Sequence, residues 1–241
     1  MIDVQNLTKR YRDRTAIDDV SFKIARGEVV GFLGPNGAGK STTMRILTGF
    51  VPATSGKALI HGFNVFEQPM AVKQRIGYLP EIPPVYPELT VSEYLRFVGT
   101  LKGLSGEALR ADIERVVNRV RLVEVSHRLI RNLSKGFQQR TGLAQALMGN
   151  PEVLILDEPT VGLDPRQIGE VRTLIKELAG EHTIILSTHI LQEVTAICQR
   201  VVIINDGKIV ADDGLDSLIE QHRKDGRNPS LEEIFLSLTE F

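Results

Sequence analysis

Residues 34–42 read GPNGAGKST, directly after the apolar run Val29–Leu33 and directly before the helix-like stretch Thr43–Leu47. This order of strand, glycine-rich turn and helix start is typical of a P-loop, G-x-x-x-x-G-K-[ST]. Backbone N–H groups of such a loop surround phosphate oxygens, and the helix N-terminus adds the positive end of its dipole. Lys40 is expected to neutralise β/γ-phosphate charge and the Ser41 hydroxyl to bind Mg²⁺. The stretch predicts a nucleoside triphosphate site, and its context disfavours a flexible glycine turn with an incidental lysine.

A second apolar run ends in two carboxylates. Val153–Leu156 is followed by Asp157 and Glu158. Where such a strand accompanies a P-loop, the first acid helps to hold Mg²⁺ and the second can polarise an attacking water. We therefore expect Asp157 to be a metal partner and Glu158 to be the general base. His189 follows another strand-like run, where a histidine can hold the γ-phosphate, although taken alone it is more simply a structural residue.

Composition excludes several classes of protein. The 241 residues are 42% hydrophobic, and 29 Lys+Arg against 30 Asp+Glu give a net charge of −1, so no overall basic field favours nucleic acid. The single cysteine, Cys198, suits a reducing compartment and the interior of the fold. The N-terminal sequence lacks the apolar core of a signal peptide, and the apolar runs fall short of the ~20 residues of a membrane span. We expect a cytosolic protein that reaches a membrane only through a partner.

Strand-like runs alternate with helical patterns in the first and last thirds of the chain. Continuous apolar runs predict strands buried on both faces, hence a largely parallel sheet between helices. They are Val29–Leu33, Val153–Leu156, Thr183–Leu186 and Val201–Ile204. The turn Asn205-Asp206-Gly207 then predicts a hairpin. Prolines, apolar stripes and a Thr90–Glu93 capping box predict a helical insertion over about residues 82–148.

The C-terminal segment has a helical pattern of its own. Ser230 and Glu233 form a second possible capping box. An apolar stripe follows, made of Leu231, Ile234, Phe235 and Leu238. The stripe fits a helix packed on the core or, alternatively, a contact with a second copy or another partner.

From about residue 2 to residue 214, the chain resembles the ATP-binding subunits of ABC transporters. Beside the P-loop (Walker A) and VLILDE (Walker B), Tyr11 occupies the place where the family stacks an aromatic ring on adenine. Residues 162–165 (GLDP) match the D-loop, STH ending at His189 matches the H-loop, and residues 133–140 (LSKGFQQR) match the signature. Six motifs in the family's order are a highly specific match.

Two positions depart from the commonest family pattern. The signature reads LSKGF where LSGGQ is usual: Ser134 and Gly136 are retained, Lys135 adds a cation near the phosphate, and Phe137 removes a side-chain amide. Glu81 replaces the Q-loop glutamine and offers Mg²⁺ a charged oxygen ligand. Both departures, and the ending SLEEIFLSLT, are similar to exporter-type ATPases of the gliding-motility-associated, nitrous-oxide-accessory and multidrug groups.

The resemblance implies an α/β fold with a P-loop NTPase core, a mostly parallel sheet, an N-terminal antiparallel β part and the inserted helical subdomain. It implies an ABC ATPase domain over residues 1–214 and a C-terminal helical tail over residues 215–241. It also implies an ATPase that uses ATP and Mg²⁺ and energises a separate membrane permease, for export, at the cytoplasmic face of the membrane. Two copies, or paired ABC subunits, would bind head to tail with each ATP between them.

The expected site residues follow from these motifs and the resemblance. Catalytic roles are expected for Lys40, Glu158 and His189. ATP contacts are expected from Tyr11, Gly34, Pro35, Asn36, Gly37, Ala38, Gly39, Lys40, Ser41 and Thr42. Contacts to the partner's ATP are expected from Ser134, Lys135 and Gly136, with Asp164 in the D-loop. Metal contacts are expected from Ser41, Glu81 and Asp157.

Two other functions compete with this interpretation. A soluble ABC-type ATPase acting on nucleic acid or ribosomes would usually carry long coiled coils, zinc sites or two fused cassettes, and the sequence shows none of these. A regulatory module that switches on ATP without transport is disfavoured by the retained Glu158 and His189.

Overall fold

Two β-sheets organise the computed structural model, which describes residues 1–223 and 227–239. Their strands are β1 (Ile2–Tyr11), β2 (Arg14–Ile24), β3 (Val29–Leu33), β4 (Ser55–Ile60), β5 (Phe63–Asn64), β6 (Ile76–Leu79), β7 (Val153–Asp157), β8 (Thr183–Thr188), β9 (Arg200–Asn205) and β10 (Lys208–Gly214). The α-helices are α1 (Lys40–Leu47), α2 (Pro69–Lys73), α3 (Val91–Leu101), α4 (Gly106–Arg119), α5 (Lys135–Leu147), α6 (Pro165–Leu178), α7 (Leu191–Ile197), α8 (Leu215–Gln221) and α9 (Leu231–Thr239). Short 3-10 turns occur at Val123–Val125 and Ile130–Asn132.

The larger sheet has six strands in the order β10-β9-β3-β8-β7-β6. All neighbouring pairs are parallel except the hairpin of β9 and β10, which confirms the mostly parallel sheet. Both faces of this sheet are covered, as its continuous apolar runs predict. Along β3, Val30 and Phe32 enter one hydrophobic core while Val29 and Leu33 enter the other.

The smaller sheet is antiparallel, with the strand order β2-β1-β4-β5. It covers the face of the larger sheet that carries α1, and the rings of Phe22 and Phe32 join the two sheets with centroids 5.5 Å apart. This arrangement is the N-terminal antiparallel part that the resemblance implies.

The helical insertion separates two strands that are neighbours in the sheet. Ile76 of β6 pairs in parallel with Val153 of β7, and α3, α4 and α5 lie between them in the sequence. The predicted capping box at the start of α3 is present: Thr90 N donates to Glu93 Oε2 at 2.8 Å and Glu93 N donates to Thr90 Oγ1 at 3.2 Å. Helices α3 to α5 pack in the core on the opposite face from the antiparallel sheet.

Helix α5 begins earlier than the sequence pattern indicated. The sequence predicts a helix over residues 139–148, directly after the signature, whereas the structure places its first residue at Lys135. Ser134 is the N-cap, and its side chain accepts a hydrogen bond from Phe137 N. Serine is a favoured N-cap, so the helix starts inside the signature motif rather than after it.

The C-terminal helix packs on the core, which is the simpler of the two alternatives. Leu231 and Ile234 are buried beside α7 and α8, and the Ser230–Glu233 capping box is formed. The expected tail over 215–241 also includes residues 224–226 and 240–241, which lie outside the described residues. None of the helices within residues 1–223 and 227–239 combines the length and apolarity that crossing a membrane requires.

Candidate functional site

The expected site residues meet at one edge of the parallel sheet. Strand β3 leads into the P-loop, β7 ends at Asp157, β8 ends just before His189, and β6 is followed by Pro80 and Glu81. Because these strands are parallel neighbours, their carboxyl ends lie along one edge, where ligands of open α/β sheets bind. A cleft of about 400 Å³ opens there. Its lining consists of Tyr11, Arg14, Ala16, Asn36, Gly37, Gly39, Lys40, Ser41, Thr42, Glu81, Glu158, Val161 and His189.

Two glycines give the P-loop its shape. Gly37 has φ 81° and Gly39 has φ 114°, and only glycine adopts such angles without strain. A Cβ atom on Gly39 would also lie 2.7 Å from the carbonyl oxygen of Ala16. The loop therefore runs close to β2 and turns directly into α1, whose first residue is Lys40.

Lys40 is held inside the loop by its own chain. Its Nζ donates hydrogen bonds to the carbonyl oxygens of Gly34, at 2.8 Å, and Pro35, at 3.2 Å. It also lies 3.7 Å from Glu158 Oε1, and both side chains are buried. Burial lowers the pKa of Lys40, against the opposing attraction of the Glu158 and Asp157 carboxylates. The ammonium is thus positioned in the cleft with its charge balanced by acids.

Ser41 and Asp157 form the oxygen-rich part of the site. Ser41 Oγ donates to Asp157 Oδ1 at 3.3 Å. Burial raises the pKa of Asp157, while the nearby hydroxyls of Ser187 and Ser41 oppose that shift. Ser41, Glu81 and Asp157 also line a neighbouring cavity together. Hydroxyl and carboxylate oxygens are the ligands that Mg²⁺ prefers, so the donor set fits this ion, although the described residues contain no metal-binding group of three His, Cys, Asp or Glu.

Glu158 and His189 are in direct contact. His189 Nδ1 lies 3.0 Å from each of the two Glu158 carboxylate oxygens. Glu158 has φ 50°, a left-handed conformation that is uncommon for a residue with a side chain, and its backbone N–H donates to the carbonyl of Ser187 at 2.9 Å. Strained backbone of this kind clusters at functional sites. The Glu158 side chain is buried, whereas His189 is 45% exposed and faces the cleft.

Tyr11 stands at the mouth of the cleft. The Lys9 ammonium lies 4.8 Å from the centre of its ring and also donates to the carbonyl of Pro52 at 2.7 Å. A cation over one face of an aromatic ring stabilises the ring's position. The 42% exposed ring lines the cleft.

Several expected contacts lie outside the cleft lining. Gly34 and Pro35 turn their carbonyl oxygens to Lys40, and Ala38 is buried in the core beneath the antiparallel sheet. Asp164 caps helix α6 by accepting from Gln167 N at 2.9 Å.

The signature residues are also outside the cleft of their own chain. Ser134 and Lys135 are exposed, while Gly136 is buried against the side chain of Gln167. The Lys135 ammonium contacts the D-loop at Gly162, so closely that a side chain at Gly162 would collide with it. The exposed start of α5 therefore lies beside the D-loop, separate from the P-loop.

Three further residues line the cleft that no sequence motif indicated: Arg14, Ala16 and Val161. Arg14 is the most informative of them, because its Nη2 donates to the carbonyl of Gly37 at 3.1 Å. It pairs with Tyr11 across the tight turn between β1 and β2. The sequence signal for Arg14 was its position, three residues after Tyr11. That position indicates a cleft residue only when the register of the β1–β2 hairpin is known.

Comparison with known proteins identifies relatives for the whole arrangement. The profile of the family described as "ABC transporter" matches residues 17–161. A relative is the bacitracin transport ATP-binding protein BcrA of Bacillus licheniformis. It is 39% identical over 226 residues, which are 93% of this chain and 73% of BcrA.

Solved structures of ABC ATP-binding proteins superimpose on this chain over most of its length. A structure described as the ATP-binding subunit of an ABC transporter superimposes with a TM-score of 0.87 at 32% identity and covers 99% of both chains. A second, described as a dimeric post-hydrolysis state of the ATP-binding cassette MJ0796 bound to ADP and Pi, has a TM-score of 0.81 at 26% identity. It covers 89% of this chain and 99% of the cassette.

Proposed function

Since the chain belongs to the ABC transporter family and is one of its ATP-binding subunits, we propose that it hydrolyses ATP to energise a separate membrane permease, in the direction of export. The observation that carries the proposal is the cleft at the sheet edge. It brings the P-loop lysine, a buried acid and a histidine from three different strand ends within hydrogen-bonding or ionic reach of one another.

Nucleotide binding is the first step. The adenine ring stacks on Tyr11, and the triphosphate lies along the P-loop with its charge compensated by Lys40. The free chain already pairs Lys40 with Glu158 at 3.7 Å. A phosphate oxygen that replaces Glu158 as the partner of Lys40 releases that carboxylate for water, so binding itself prepares the base.

Hydrolysis then depends on Glu158 and His189. An ionised carboxylate only accepts hydrogen bonds, so Nδ1 of His189 carries the proton in their contact. The contact fixes the direction of the Glu158 oxygens, one of which accepts a proton from the attacking water. Nε2 of His189 is left for the γ-phosphate, to which it donates when the ring carries a second proton.

The divalent ion, when bound, neutralises charge on the β- and γ-phosphates. Ser41, Asp157 and Glu81 are the residues that would hold it, which their oxygen donors and shared cavity support. Asp157 is buried and already accepts a hydrogen bond from the Ser41 hydroxyl, so its carboxylate is oriented before the ion arrives.

Closure of two subunits completes the site. ABC ATP-binding cassettes form dimers, and here Ser134, Lys135 and Gly136 occupy the start of α5, where backbone N–H groups and the helix dipole favour an anion. We place the partner's γ-phosphate there, in a head-to-tail dimer of identical or paired ABC subunits, with Asp164 at the shared boundary. ATP then joins the two surfaces, and hydrolysis releases them.

The domain division and the location follow from the same proposal. Residues 1–214 form the ATPase domain with its helical insertion, and residues 215–241 form the tail, of which helix α9 packs on that domain. The protein sits at the cytoplasmic face of the membrane through its permease. Export is supported by Glu81, by the signature LSKGF and by the ending SLEEIFLSLT, which resemble exporter-type ATPases.

Affinity purification in mild detergent tests the transport role. We expect a tagged chain to bring down a membrane protein with several spanning segments and to hydrolyse ATP. Glu158→Gln serves as the matched variant that keeps the permease and loses hydrolysis. Recovery of ribosomal proteins or nucleic acid instead, with no membrane partner, favours the soluble ATPase; hydrolysis-independent function of the Glu158→Gln variant in cells favours the regulatory module.

A further inference from the structure

Glu193 is a buried carboxylate that the mechanism above does not use. It lies in the first turn of α7 and is 0% exposed. Thr188 Oγ1 donates to its Oε2 at 2.9 Å, and Thr160 Oγ1 donates to its Oε1. In the part of the chain that the structure describes, no basic nitrogen forms an ion pair with Glu193. The hydrogen bonds from the Thr160 and Thr188 hydroxyls therefore compensate the cost of burying the Glu193 carboxylate.

The two hydroxyls belong to the two segments that carry the base and the histidine. Thr188 is the last residue of β8 and directly precedes His189. Thr160 lies two residues after Glu158, in a turn where Val161 N donates to the Glu158 carbonyl at 3.2 Å and Leu163 N donates to the Thr160 carbonyl at 3.2 Å. The carboxylate of Glu193 thus connects the segment after Glu158 with the segment before His189.

The hydrogen bonds of this cluster leave little freedom. Thr188 Oγ1 also accepts from Ile190 N at 3.0 Å, so its single proton is directed to Glu193 while the chain wraps around His189. Thr160 and Thr188 are themselves buried, at 2% and 0% exposed. Burying a carboxylate is unfavourable unless it is hydrogen-bonded, and an apolar side chain would fill the space without that requirement. The cluster is thus a fully satisfied polar network in an apolar region, the kind that fixes one arrangement.

We propose that Glu193 is a positioning residue for ATP hydrolysis: by joining Thr160 to Thr188, it holds Glu158 and His189 in the hydrogen-bonded arrangement that the reaction needs. The inference rests on the proposed function of the cleft and adds a residue that does not touch the nucleotide. Because Thr160 also leads into the D-loop, the same link ties that loop to the histidine segment.

The competing explanation is that Glu193 serves only to stabilise α7. An acid in the first turn interacts favourably with the helix dipole. That role predicts lower stability when the acid is removed, without a selective loss of turnover. The positioning role predicts that removing the Glu193 carboxylate lowers kcat and leaves ATP affinity unchanged. It also predicts the same selective loss of kcat when the hydroxyl of Thr160 or of Thr188 is removed.

Steady-state hydrolysis by four full-length proteins separates these explanations: wild type, Glu193→Gln, Thr160→Val and Thr160→Ser. Glutamine can accept from one hydroxyl only, because its amide nitrogen donates. We expect kcat to fall at least tenfold in Glu193→Gln and Thr160→Val, with KM for ATP and the ATP Kd by calorimetry within twofold of wild type. The serine variant restores the hydroxyl and is expected to stay within threefold of wild type. The double variant Glu193→Gln/Thr160→Val is expected to be no slower than either single variant.

Values of kcat within twofold of wild type in both Glu193→Gln and Thr160→Val would overturn the proposal, as would equal losses in kcat and ATP affinity. If Glu193→Gln does not fold, the valine and serine pair at position 160 decides alone. Amide hydrogen exchange provides a readout that needs no turnover: loss of the link accelerates exchange in residues 160–164 and 188–190 together, whereas a helix-stabilising role accelerates it in α7 only. Wild-type protein that binds ATP without hydrolysing it would refute the proposed function, and the exchange pattern would still decide for or against the link.

Discussion

His189 Nδ1 lies 3.0 Å from both carboxylate oxygens of Glu158, although the two residues follow different strands. The pair is brought together because β7 and β8 are parallel neighbours, with Asp157 opposite Ser187 in the register. Each residue lies one or two positions beyond that last paired row. A shift of one residue in either strand would reverse the direction of the side chains and separate the pair.

Glu158→Gln is expected to bind ATP normally and to hydrolyse it far more slowly. The amide occupies the same space but cannot accept the proton of the attacking water, so turnover should fall by roughly 10²- to 10⁴-fold, the usual contribution of a general base. The variant should accumulate as an ATP-bound dimer in size-exclusion chromatography. Turnover at the wild-type rate would remove Glu158 from the role of base.

Lys40→Ala is expected to lose most of its affinity for ATP. The change removes the cation that the P-loop carbonyls hold in the cleft and leaves the buried Glu158 with His189 as its remaining partner. A charge-assisted hydrogen bond contributes about 1.5–3 kcal/mol, which corresponds to a loss of roughly 10- to 150-fold in affinity. Calorimetry measures it, with the exposed Lys57→Ala as the control. Equal ATP affinity in both variants would contradict the assignment of the P-loop.

Ser134→Arg is expected to leave ATP binding to the single chain intact and to block ATP-driven dimerisation. Ser134 is exposed at the start of α5, outside the cleft of its own chain. The variant also loses an N-cap worth about 1 kcal/mol, so Ser134→Ala is the control that loses the cap without adding bulk or charge. In a Glu158→Gln background, dimers should form with the alanine and not with the arginine. Dimers with both would show that the signature does not face the partner's nucleotide.

Many of the residues that line the cleft could be predicted, because they belong to short, contiguous sequence motifs. The P-loop needs its glycines, Lys40 and Ser41 in one stretch of sequence. The acids Asp157 and Glu158 are recognisable because they directly follow an apolar, strand-like run. The start of α5 was predicted four residues too late, because the helix was placed after the signature and Ser134 was not considered as its N-cap. Ser134, Lys135 and Gly136 were assigned to the signature motif, and glycine is a weak signal for a first helical turn.

Contacts between distant residues could not be predicted in the same way. Glu193 follows His189 by four positions, and the local sequence does not distinguish it from an exposed acid on an amphipathic helix. Only the packing of α7 against the end of β8 and the turn at Thr160 makes it a buried bridge. Arg14 likewise enters the cleft because the β1–β2 turn sets it opposite Tyr11. Such roles depend on register and packing, which no local motif encodes.

Lys102→Met is expected to stabilise the protein near neutral pH. Burial lowers the pKa of Lys102 to about 8 from the ordinary 10.5, and Asp112 offsets this only in part. The folded state therefore disfavours the charged form, at a cost that is fully present below pH 8 and disappears as the pH rises through 10.5, since the unfolded state binds more protons in that window.

Urea unfolding at several pH values measures this effect. The free energy of unfolding of the wild type should rise relative to that of Lys102→Met between pH 8 and 10.5, by about 1–3 kcal/mol. The hydrogen bond from Lys102 Nζ to the Ile76 carbonyl, at 3.2 Å, is lost in the variant and reduces the gain at neutral pH. A difference that stays constant across this pH range would show that Lys102 is not desolvated.

Arg14 is expected to contribute charge to nucleotide binding. Of the two cations that line the cleft, Lys40 is paired with Glu158, whereas Arg14 contacts only the Gly37 carbonyl among the described residues. Arg14→Gln can keep that hydrogen bond and loses the charge, and Arg14→Lys keeps the charge; Arg12→Gln is the control on the same hairpin. An exposed charge pair contributes up to about 1 kcal/mol, so ATP affinity should fall by roughly fivefold in Arg14→Gln, with a smaller loss for ADP and none for adenosine. The difference should shrink at high salt, because screening weakens exposed charges first. If glutamine and wild type bind ATP equally at low salt, Arg14 acts only as a support for the loop, and Lys40 alone carries the positive charge of the site.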